Sequence, residues 1–181
     1  MSRYSYESVH LFLNQFAIGL FGITLALAAK MAKNDVLSIV TSVFSIIFYL
    51  FLQYIAMWKV GATDRLSADL GKFKKDYSIP VKMWLLSNSL NLFLALLITL
   101  RALLPDVAII YSVGGIANVV KRIIEGMYMG ILAIRVGGQP LHLFWFVHFL
   151  TTLPALLVIF GAYVLGFNNF KLFKSEGKKS K

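Results

Sequence analysis

Lys121, Arg122 and Glu125, with Asn118 one turn earlier, interrupt an apolar stretch that covers residues 107–134. At i, i+4, Lys121 and Glu125 would share one helix face, an ammonium within reach of a carboxylate. Ionisable groups at membrane depth cost roughly 2.5 to 3.5 kcal/mol each on insertion scales, so they turn toward a protein interior or a wet cavity. Groups so placed do one of three things. They hold a polar solute or ion, relay a proton, or lock helices together as an ion pair. Asn88, Asn91 and His148 lie on other apolar segments and would meet the charged group from facing helices. The expected ligand-binding set or ion pathway is therefore Asn88, Asn91, Asn118, Lys121, Arg122, Glu125 and His148. If Lys121 or Arg122 merely neutralises Glu125 and the asparagines bond across the bundle, the same residues are structural.

Enzymatic chemistry finds no comparable set. The chain has no cysteine, which excludes disulfides, thiolate metal sites and a Cys nucleophile. It also lacks H-E-x-x-H, an aspartate pair and a Gly-rich loop after a strand. His142 and His148, six residues apart, fall on different sides of a helix and do not suit a shared metal. We expect no enzyme, no metal and no cofactor. No motif is specific to a known family.

The composition names the class of elements that must position these residues. At 59% hydrophobic and 14% charged, with a mean hydropathy of +0.75, the chain reads as an all-α polytopic membrane bundle. In 181 residues, spans of about 20 residues each leave no room for a separate soluble domain. The net charge of +10 sits beside apolar segments, as anionic headgroups and topology signals require, and no nucleic-acid motif accompanies it. The partners expected are anionic lipid and either further copies of the chain or a larger membrane complex, with no nucleic acid.

The spans read as 9–31, 36–58, 81–103, 107–134 and 141–167, giving five membrane helices. The alternative is four spans with 107–134 re-entrant or interfacial. The first two should form a tight hairpin around Lys33, Asn34 and Asp35. Gly19, Gly22, Ala26 and Ala29 make a small-residue stripe for helix packing on the first span. Residues 59–80 form a basic loop in which Leu66, Leu70, Phe73 and Tyr77 recur at helical spacing, and Arg65, Lys72, Lys74 and Lys75 would meet a lipid surface. We place that loop on the cytoplasmic side of a plasma (inner) membrane. Pro154 is expected to kink the last span, and the basic tail 168–181 to end in disorder.

Two arguments bear on the span count. Five spans split the Lys and Arg residues eight against eight, four spans twelve against six, and the positive-inside rule favours the second split. Five spans would instead bring Asn14, Gln15, Gln53, Asn88, Asn91, Glu125 and His148 to one depth, and Trp58, Trp84 and Trp145 to one interface. On that ground we expect five. The functional expectation is a transporter or transporter component that binds a small polar solute or ion, against a non-enzymatic accessory protein acting through partner helices and anionic lipid.

Overall fold

The computed structural model describes residues 3–170, so the lysines of the tail from Lys171 onward lie outside the described residues. Helix α1 (Arg3–Met31) and α2 (Asp35–Asp69) form the expected hairpin. The turn between them has identifiable parts. Lys33 takes a left-handed φ of 51° and donates to Lys30 O at 3.0 Å, while Asn34 N reaches Ala29 O at 3.3 Å, a Schellman ending. Asn34 then caps α2, its Oδ1 accepting from Leu37 N at 3.0 Å.

α2 continues well past residue 58, and the separate interfacial helix expected around Leu66 to Tyr77 does not form. Leu66 belongs to α2, which ends at Gly71 (φ 69°) in a second Schellman motif, and residues 73–76 have no regular structure. Nothing between Lys59 and Asp69 breaks a helix, and Asp64 is tied to two other helices. Arg3 Nη1 lies 2.9 Å from its Oδ1, and Tyr163 donates to its Oδ2 at 3.0 Å.

The third apolar segment is broken. α3 (Ser78–Ser87) and α4 (Ser89–Leu103) meet at 62°. At the break Ser87 Oγ and Asn88 Nδ2 both bond Trp84 O, at 3.0 and 3.2 Å, and Ser89 Oγ bonds Leu86 O at 3.0 Å. Side chains inserted into the carbonyl ladder are a recognised cause of helix bending.

α5 (Ala108–Ile124) folds back on α4 and stops short. It gives way to a 3-10 turn (Gly126–Tyr128) and one turn of helix, α6 (Met129–Leu132). A two-residue ladder follows, β1 (Arg135–Val136) against β2 (Gln139–Pro140), then α7 (Val147–Leu150) and α8 (Leu153–Phe167). Pro154 lies in the first turn of α8, where its missing N–H costs nothing.

Three helical stretches are long and apolar enough to cross a membrane: α1, α2 and the run Val147–Phe167. A fourth is added if the bent α3–α4 pair counts as one span. Residues 107–134 are not one continuous helix. Gly126 lies against Gly19 O and the side chain of Ile23, and Glu125 bonds to the α7–α8 junction, so the path is redirected there. The five-span arrangement sets the end of the last helix opposite the 59–80 loop, whereas the packing brings them together. Arg65 Nη1 donates to Phe167 O at 3.3 Å and Trp58 Nε1 to Phe170 O at 2.8 Å. The starts of α1 and α3 and the ends of α2 and α8 thus occupy one end of the bundle. The α1–α2 turn and Arg135 occupy the other.

Helix approach depends on glycine. Gly61 meets Tyr163 O and Gly166 meets Trp58 O, closing α2 onto α8. The stripe on α1 is buried but faces no free surface. Gly19 abuts the carbonyl of Ile124, and a side-chain carbon on Gly22 would lie 2.5 Å from Met127 Cα. Its occupant is the end of α5 and the turn that follows.

Candidate functional site

Two helix breaks and the end of α5 are linked by hydrogen bonds inside the bundle. Trp84 Nε1, beside the α3–α4 bend, donates to Thr152 O at the α7–α8 junction at 3.2 Å. From that junction Thr151 Oγ1 donates to Glu125 Oε2, at the end of α5, at 2.9 Å. Glu125 Oε1 receives Lys121 Nζ at 2.7 Å, and both side chains are only 1% exposed. The pair predicted from its i, i+4 spacing is therefore formed and sealed. The dipole of α5 supports its cation. Lys121 and Arg122 stand in the last turn of α5, where free carbonyls favour cations.

Around the pair the polar residues are buried and only partly satisfied. His148 is fully buried, its Nε2 donating to His142 O at 3.0 Å, and its Nδ1 has no partner. Asn118 Nδ2 donates to the same carbonyl at 3.3 Å, and His142 Nδ1 donates to Leu132 O at 3.2 Å. Residue 142 thereby ties α5, the end of α6 and α7 together. Burial pushes the His142 imidazole below its ordinary range, against the Leu132 hydrogen bond, with Arg122 and Lys30 adding to the effect. Asn91 Nδ2 donates to Asn88 Oδ1 at 3.3 Å at the α3–α4 bend, leaving Asn91 Oδ1 buried without a partner. Arg122 is half-buried, its Nε is unpaired, and among the described residues no carboxylate lies within 4 Å of it. The Lys121–Glu125 pair is neutral, so Arg122 leaves the site one net positive charge.

Lys121, Glu125, Asn118 and His148 are thus brought together, joined through Thr151 and His142. Asn88 and Asn91 form a separate patch, reached through Trp84 and Thr152. Asn14 does not belong to a shared layer: it is half-buried and bonds His10 Nδ1 on its own helix at 3.4 Å. Gln53 is buried near α1, donating to Leu11 O at 3.0 Å. The tryptophans do not share an interface, because Trp84 is buried inside the bundle and Trp145 is exposed at the start of α7. The basic set is at the other bundle end. Arg65 approaches Asp69 at 3.7 Å, Lys75 lies over the rings of Tyr77 and Phe167, and Lys72 and Lys74 are exposed.

Sequence reasoning left Thr151, Tyr128 and Asp64 out of the site set. A hydroxyl inside an apolar span is normally satisfied by its own helix. Thr151 Oγ1 is also 3.0 Å from His148 O in its own turn, so its one proton is shared between that carbonyl and Glu125 Oε2. Tyr128 lies in the 3-10 turn, its hydroxyl buried without a partner. Asp64 stood in a stretch read as a loop.

Clefts of about 250, 500 and 570 Å³ indent the surface of the described residues. The first two adjoin between α1 and α3–α4, sharing Ser5, Ser8 and Leu86, and the third opens between Asp35, Ser38, Gly130 and Arg135. Lys121, Glu125 and His148 line none of them. Among the described residues no three His, Asp or Glu side chains are grouped to hold a metal ion. No protein-family model matches the chain, and neither a curated protein nor a solved structure is similar to it.

Proposed function

We propose that this chain is a transporter, or a component of one, that binds a small polar solute carrying a negative group beside the Lys121–Glu125 pair. One observation carries the reading: a sealed ion pair at the junction of broken helices, adjoining in the chain Arg122, which has no carboxylate within 4 Å among the described residues. An ion pair kept only for stability would be a poor choice, since apolar residues of similar volume often do as well or better. Broken helices whose ends face one another inside a bundle are the usual material of intramembrane binding sites. A carboxylate on the solute would complement Arg122, and the unpaired His148 Nδ1 offers a further polar contact. Lys121 acts as a tethered cation on Glu125. Any charge that displaces it also loosens the Thr151 bond, and so couples occupancy to the relative position of α5 and α8.

In this reading the chain crosses an inner membrane four times rather than five, with the basic end cytoplasmic. The twelve-against-six split of Lys and Arg supports that orientation. Arg65, Lys72, Lys74 and Lys75 then face anionic headgroups. An accessory role through the α1 stripe loses its main support, because the stripe is filled from within.

The test is reconstitution into proteoliposomes and uptake of a labelled panel of small carboxylates, amino acids and monovalent cations, with proton flux followed by an internal dye. Glu125→Gln and Arg122→Gln should each abolish uptake of the same compound while the protein still melts cooperatively. Uptake by both variants at the wild-type rate overturns the proposal.

A further inference from the structure

The cleft of about 570 Å³ between the start of α2 and the end of α6 has a mixed polar rim, Asp35 facing Arg135, and Ser38 and Gly130 in its wall. Directly beneath, Gly130 N donates to Ser42 Oγ at 2.7 Å. From there a polar line continues along the buried face of α2 at helical spacing: Ser42, Ser45, Tyr49 and Gln53, each no more than 3% exposed. Tyr49 lies within electrostatic reach of Tyr128 and Glu125. Tyr128 brings a buried hydroxyl without a partner to the same place, and Gln53 Oε1 is also unpartnered. Seven residues of helix separate Ser42 from Tyr49, about 10 Å at 1.5 Å per residue. The floor of the cleft is therefore two helical turns from Tyr49, which feels the Glu125 charge.

We propose that this cleft is the entrance for the solute on one side of the membrane, and that the seam Ser42–Ser45–Tyr49–Tyr128 is its route to the Lys121–Glu125 site. The inference rests on the transport reading of that site. Serine hydroxyls in an apolar helix normally bond back to their own backbone, as Ser45 does to Thr41 O at 2.8 Å. Ser42 instead holds the backbone of another element, so its contact must be exchanged for the solute or water as the route opens. The lining has no charge between the rim and Glu125, which suits a small hydrophilic solute with no deep electrostatic trap on the way.

The chain has no cysteine, so single cysteines report access directly. Ser38→Cys, Ser42→Cys and Ser45→Cys change one atom each. Ile47→Cys, about 3 Å along the helix from Ser45 on an exposed apolar face of α2, is the lipid-facing control. In sealed proteoliposomes a membrane-impermeant methanethiosulfonate bearing a sulfonate should label Ser38→Cys and Ser42→Cys from one side only, at least about 10-fold faster than Ile47→Cys, because only a hydrated thiol ionises readily. A solute taken up by the wild type should slow labelling of Ser45→Cys. The entrance is overturned if Ser42→Cys is as inert as Ile47→Cys in folded protein yet reacts after unfolding in SDS. If Glu125→Gln has lost uptake in the same vesicles, the transport site stands and only this route fails. Labelled seam cysteines with unaltered uptake by Glu125→Gln overturn the transport reading, and with it the assignment of the cleft to solute.

Discussion

Separating Lys121 from Glu125 should be among the most costly single changes available in this protein, and changing both should cost little. At 2.7 Å the pair attracts by about 6 kcal/mol for an effective dielectric constant of about 20, before the expense of removing both ions from water. Desolvation cancels most of that gain. It does not cancel when one partner is deleted, because the other is left buried at 1% exposure with a single hydroxyl, or nothing, beside it. Lys121→Met and Glu125→Gln should therefore each lower stability by about 3–5 kcal/mol, and the double variant should fall within about 1 kcal/mol of wild type. The resulting coupling energy would exceed the roughly 0.5–3 kcal/mol usual for residues in contact. Reversible unfolding by SDS in mixed micelles, followed by tryptophan fluorescence, reads all three variants, with Trp84 reporting beside the junction. Single variants costing under about 1 kcal/mol would mean a solvated pair, since exposed i, i+4 pairs contribute about 0.3–0.5 kcal/mol. That result would refute the sealed site. The double variant has a second use: it should fold and fail to transport.

Enlarging the α1 stripe should disrupt the monomer itself rather than a partner contact. Gly22→Ala should destabilise by about 1–3 kcal/mol through its clash with Met127, while Gly161→Ala, with open space around it, should be neutral; melting in detergent compares them. Lys33→Gly should raise the melting temperature, by about 0.5–1 kcal/mol of stability, because it relieves a left-handed non-glycine residue in the α1–α2 turn. Acidification should weaken the hinge at His142. Its folded-state pKa lies below the ordinary value of 6.5, so the contribution of the neutral ring is complete above about pH 6.5 and is lost as pH falls toward the lowered pKa. His142→Asn should flatten the melting temperature between pH 7 and 5, and an unchanged slope would exclude this group as the cause.

Local signals were readable in this chain, whereas signals that depend on distant partners were not. The α1–α2 hairpin followed from three polar residues between two apolar runs, and the Lys121–Glu125 pair from its spacing. The stripe was legible as a packing surface, but not its occupant, because a glycine marks close approach without naming what approaches. Hydropathy also concealed the breaks at Asn88 and Glu125. It sums transfer energies along the chain and is blind to a side chain that takes a backbone carbonyl, as at Trp84 O, or to a carboxylate drawn to a hydroxyl 26 residues away. Asp64 was hidden for the same reason, since its partners Arg3 and Tyr163 are 61 and 99 residues distant.

That separation in sequence constrains the order of assembly. The last helix among the described residues, α8, supplies Tyr163 to Asp64 and the backbone that covers Gly61, and the junction preceding it supplies Thr151 to Glu125. Until residues 147–167 have been synthesised and docked, Asp64 holds Arg3 but lacks Tyr163, Glu125 holds Lys121 but lacks Thr151, and α2 presents an open face to the bilayer. The α1–α2 hairpin can insert early, but closure of the bundle waits for residues 147–167. A nascent chain arrested before Val147 should therefore be a substrate for membrane quality control, and a separately expressed segment spanning 141–170 should rescue it by docking in trans.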